Sequence, residues 1–95
     1  MAQFLVLHSM DPRTLTSEFM MGTGARLMEA FTEDTYVITS WWALGAGKVA
    51  CLWEAPSETA IIDIFAREVP QWPIDGVYPA TVTDMAEVKK MLAGG

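Results

Sequence analysis

The chain has 95 residues, 52% of them hydrophobic and 19% charged, which excludes a disordered segment and leaves room for one domain. Six Lys and Arg against twelve Asp and Glu give a net charge of −6. Nucleic acid and anionic membrane surfaces are therefore excluded as leading partners, because both are bound through clustered cations.

One cysteine closes no internal disulfide. No apolar run approaches the roughly 20 residues that span a bilayer. The N-terminus has neither a charged n-region nor a cleavage site. A single cytoplasmic domain over residues 1–95 is expected.

In chain order, Gln3 to His8 reads as a strand apolar on both sides, with Leu5 and Leu7 on one and Phe4, Val6 and His8 on the other. Asp11-Pro12, or Thr14, caps a helix over about 13–31. Gly22 and Gly24 inside it suggest close packing on a sheet. Thr35 to Leu44 is the second strand, Gly45-Ala46-Gly47 a hairpin turn, and Lys48 to Glu54 the third strand. Pro56-Ser57 caps a second helix whose apolar face is Ala60, Ile61, Ile64 and Phe65, ended by Pro70 and Pro73. Val77 to Thr83 is a fourth strand, placed at an edge by Pro79. Asp84 and Glu87 have capping-box spacing and open a short tail helix within 84–95.

The order βαββαβ plus a tail helix predicts an α+β, ferredoxin-like domain. Its four-stranded antiparallel sheet takes the order 4-1-3-2, with two helices on one face. The first and third strands are apolar on both sides, so the uncovered face points to a homodimer packed sheet against sheet. The tail helix is the alternative cover.

The pattern resembles the dimeric α+β barrel superfamily of small ferredoxin-like proteins. KVACLWEAPSETAI resembles the strand-then-helix signature of a small nickel-binding, otherwise uncharacterised domain family, and VPQWPIDGVYPATV is similar to the end of muconolactone isomerase-like proteins. The resemblance implies the fold and leaves activity open, because the superfamily holds monooxygenases, isomerases, heme-degrading enzymes and non-enzymes.

His8 is the only histidine and the natural acid–base candidate. The topology brings the end of the first strand towards Trp41 or Trp42, Trp72 and Tyr78, so these residues are candidates to line one pocket for a small hydrophobic or aromatic ligand. Against this, the plainer reading of His8 is a strand-end residue hydrogen-bonded to backbone. Asp11 is its best carboxylate neighbour by sequence. Cys51 reads as an inert core thiol. No second Cys or His stands at ligand spacing, so no metal site or cofactor is assigned. The expectation is a small-molecule-binding dimer. A metal-binding or purely structural dimer is one alternative, and an isomerase or cofactor-free monooxygenase with His8 as proton shuttle is another.

Overall fold

In a computed structural model, which describes residues 2–94, β1 (Ala2–Ser9) buries every second side chain. Phe4, Val6 and His8 face the core, as alternation predicts. β3 (Lys48–Ala55) pairs antiparallel with β1 and places Val49, Cys51, Trp53 and Ala55 on the same side. β2 (Tyr36–Ala43) and β4 (Gly76–Pro79) complete the sheet in the order β2-β3-β1-β4, with every neighbour antiparallel. The architecture is α+β, and its strand order and helix count fit a ferredoxin-like arrangement.

α1 (Ser17–Glu29) and α2 (Glu58–Glu68) cover the buried face. Met20 and Leu27 from α1 and Ile61, Ile64 and Phe65 from α2 join the strand side chains in one core. Ser57 caps α2 as expected, accepting from the Ala60 N–H. α1 starts later than the sequence predicts. Asp11 is drawn into a local turn, its carboxylate held by the Arg13 backbone N–H and guanidinium. Thr16 caps the helix instead, accepting from the Phe19 N–H at 3.1 Å. The glycine expectation is also corrected. A Cβ at Gly22 or Gly24 would meet nothing within 4 Å, because the buried positions of α1 are Met20, Thr23 and Leu27.

Gly47 is different. It ends the short turn Leu44–Ala46 in a left-handed conformation at φ 68°, where an added Cβ would collide with the Met10 carbonyl. β4 sits at the sheet edge, as Pro79 requires, but is shorter than predicted and ends at that proline.

β2 carries a bulge between Val37 and Thr39. Beyond it, Trp41 pairs with Ala50 on the open face and Trp42 with Val49 on the helix side. The open face carries Leu5, Leu7, Ala50 and Leu52 at its centre; Leu52 is buried, and the other three are half-buried. It is flanked by half-exposed Trp41 and Tyr78 on the two edge strands. α3 (Met85–Ala93) is capped by Asp84 but contains no buried residue. The described chain exposes 6119 Å², above the roughly 5,400 Å² of a folded monomer of its mass. Its radius of gyration of 15.1 Å likewise exceeds the roughly 12 Å of a compact domain this long. No helix among the described residues is long and apolar enough to cross a membrane.

Candidate ligand-binding site

The last residue of the buried row on β1 would be an ordinary core position if it were not His8. Only 2% of His8 is exposed. Its ring packs against Phe65 at 5.0 Å and edge-on to Trp72 at 4.8 Å between centroids. Nδ1 lies 2.8 Å from the Pro73 carbonyl oxygen, in the extended segment after α2. A carbonyl only accepts, so Nδ1 carries the proton and donates. In the neutral ring Nε2 is then a pure acceptor, and it has no partner among the described residues.

Burial pulls the His8 pKa below its usual 6.5, while the Pro73 carbonyl and the charge of Asp75 push the other way. The neutral ring is the folded-state form. Between the folded value and 6.5 the unfolded chain holds more protons than the folded one. The stabilisation is complete above pH 6.5 and declines as pH falls below it, by at most about 1.4 kcal/mol per pH unit. Urea midpoints at pH 7 and pH 5, at fixed salt, are expected to drop for the wild type and to drop markedly less for His8→Gln.

The aromatic cluster continues outward. Phe19 stacks on Trp72 at 5.6 Å, and Trp53 packs against Phe65 and Phe31, each at 5.5 Å. Between α1 and the β2 side of the sheet it leaves a cavity of about 230 Å³. Buried Cys51, Phe65 and Trp72 belong to its wall, with Met20, Leu27 and Phe31 beside them. Trp42 and Met28 also line it and remain well exposed at 44% and 67%. Gly24 leaves the α1 side open. Burial raises the Cys51 thiol to about 12, against a smaller opposing effect of the Ser40 hydroxyl. It is an unreactive wall, as the sequence indicates.

The predicted five-residue pocket is not formed as one. His8 and Trp72 touch, and Trp42 and Trp72 line the cavity, which His8 itself does not border. Trp41 and Tyr78 lie on the other face, at opposite edges of the sheet. β4 pairs Gly76, not Tyr78, with Leu7, and the Tyr78 ring covers Gly76. Three of the five, His8, Trp41 and Trp42, border a larger, open concavity of about 470 Å³, together with Ser9, Lys48 and Asp75. There Lys48 Nζ donates to Ser9 Oγ at 2.7 Å, and Ser9 donates to Asp75. Asp75, not Asp11, is thus the carboxylate that acts on this end of β1. Among the described residues no three His, Cys, Asp or Glu side chains come together as metal ligands.

The chain matches no family model and no curated protein sequence. A solved structure does match. The chain is similar in fold to SCO4226 from Streptomyces coelicolor A3(2). The TM-score is 0.71 at 19% identity, over 87% of this chain and 100% of that one. At this identity the likeness to SCO4226 concerns the fold alone.

Proposed function

We propose that the protein is a homodimeric small-molecule binder of the dimeric α+β barrel kind, built on a ferredoxin-like βαββαβ fold. Its ligand is small and apolar or aromatic, and it occupies the cavity between α1 and the sheet. The cavity itself carries the reading. It offers about 230 Å³, half open to solvent and lined by apolar and aromatic side chains, where roughly 150 Å³ of apolar space is enough to hold benzene. The larger concavity is less suited to an apolar ligand, because Lys48, Ser9 and Asp75 put a hydrogen-bonded, charged group of side chains in its wall. The open sheet face supports the dimer: a partner would cover Leu5, Leu7 and Ala50, which one chain leaves half-buried.

Toluene is the simplest probe. It is expected to bind the wild type in a saturable titration followed by tryptophan fluorescence. Gly24→Leu is expected to weaken that binding about tenfold or more, because the new side chain enters the cavity. This variant should fold, since the site has space for Cβ and leucine is about 1 kcal/mol the better helix former. Unchanged toluene affinity in folded Gly24→Leu contradicts the assignment.

A further inference from the structure

We propose that the open concavity at the end of the sheet is a second ligand site and takes an aromatic α-amino acid, with its carboxylate on Lys48, its ammonium on Asp75 and its ring against Trp41.

Sheet register builds this site from two rows of side chains. Trp41, Ala50 and Leu7 stand side by side across β2, β3 and β1. Two residues nearer the sheet end, Lys48 at the start of β3 pairs with Ser9 at the end of β1. Asp75 joins them from the position before β4, where its backbone N–H donates to the Leu7 carbonyl at 2.8 Å. All six residues line the concavity. Trp41 is 55% exposed and offers ring surface to an aromatic group.

The charged row is open to a ligand. Lys48 Nζ donates to Ser9 Oγ at 2.7 Å, and Ser9 donates to Asp75 Oδ2 at 2.5 Å. The hydroxyl stands between the two charges, and neither Lys48 nor Asp75 forms an ion pair with any described residue. Lys48 keeps two further N–H donors, and Asp75 keeps its second carboxylate oxygen as an acceptor.

A ligand carrying both charges meets both groups through charge-assisted hydrogen bonds. A plain carboxylate satisfies Lys48 but sets its charge beside Asp75, on a chain whose net charge is already −6. A plain amine satisfies Asp75 but faces Lys48. The α-amino acid head group holds an ammonium and a carboxylate on one carbon, as Ser9 holds Asp75 and Lys48 on either side of one oxygen. The two rows lie roughly 7 Å apart along the strands, so a head on the charged row places its ring on the row of Trp41, Ala50 and Leu7. Convergent polar groups at one end of an apolar, aromatic hollow are the usual make-up of a small-molecule site. One chain supplies the whole site. Leu7 and Ala50 also lie on the face proposed for the partner, so in the dimer the second sheet roofs the ring and the charged row stays at the rim.

The test titrates L-phenylalanine, 3-phenylpropionate and phenethylamine into the protein, followed by tryptophan fluorescence. The second compound lacks the ammonium and the third lacks the carboxylate. Phenylalanine is expected to bind the wild type about tenfold or more tightly than either. Lys48→Met should erase its advantage over phenethylamine and leave its advantage over 3-phenylpropionate. Asp75→Asn, which still accepts from Ser9, should do the reverse. Both positions are exposed, so both variants should fold. No saturable binding of phenylalanine overturns the site. An analogue that binds the wild type as tightly overturns the zwitterion, and preferences unchanged in both variants overturn its placement on Lys48 and Asp75.

Discussion

In sedimentation velocity at micromolar concentration, the wild type is expected to run as the proposed dimer and Leu7→Lys as a monomer. Leu7 lies on the open face of a central strand, opposite Ala50 on one side and Gly76 on the other. In a sheet-to-sheet dimer this position is covered by the partner. An ammonium group there must be desolvated, at a cost of several kcal/mol per ion. Two-fold symmetry places one such charge in each subunit, so the penalty is incurred twice. In the monomer the same lysine stands at a half-exposed position and should leave the fold intact. The circular dichroism spectrum is expected to match the wild type. A Leu7→Lys protein that sediments like the wild type contradicts pairing through this face.

Trp53→Ala is expected to destabilise the protein by about 3–5 kcal/mol in urea unfolding. That is a large share of the roughly 5–15 kcal/mol that holds a domain together. Trp53 has no exposed surface and packs against Phe31 and Phe65, tying β3 to α2 and to the end of α1. Two effects oppose each other here. Truncation opens a cavity at the centre of the core, but it also removes an indole N–H that has no partner among the described residues. The cavity wins, because relief of one unpaired donor is worth only about 1–3 kcal/mol. Trp53→Phe separates the two effects. It keeps most of the ring volume and drops the N–H, so its cost should fall below about 1.5 kcal/mol. Equal losses for the two variants contradict this account of the core.

The sequence made the central strands legible and the edges less so. Alternation along β1 placed His8 among Phe4 and Val6, and the structure keeps all three on the buried side. The two sides of β3 were equally readable, because its pattern has no irregularity to shift it. In β2 the stretch Tyr36 to Trp42 is β-branched and aromatic on both sides. The bulge after Val37 decides which tryptophan enters the helix side, and nothing in the composition marks it. At the start of α1, Asp11 and Thr16 offer the same capping chemistry. Arg13 decides between them by occupying the Asp11 carboxylate.

The candidate site was half legible for similar reasons. Trp72 was readable as a neighbour of His8 because both lie at one end of the sheet, in a rigid segment fenced by Pro70 and Pro73. The acceptor for His8 was not, since Pro73 stands 65 residues away and carries no mark of that role. Tyr78 stands away from His8 because register in a short edge strand is set by pairing: Gly76 opposite Leu7 sends Tyr78 opposite Leu5. Phe65 and Met20 read as helix-face core residues, which they are. Only the structure shows that the core they form stops short of closing.

The most direct test of the account is a methyl-labelled methionine spectrum during toluene titration, since the seven methionines act as reporters spread over the molecule. Met20 and Met28 line the cavity, whereas Met21, Met85 and Met91 are exposed elsewhere. The account predicts saturable shifts of the Met20 and Met28 methyl signals, with Met21, Met85 and Met91 unmoved. Shifts confined to the exposed methionines, or no shift at all, contradict a ligand site between α1 and the sheet.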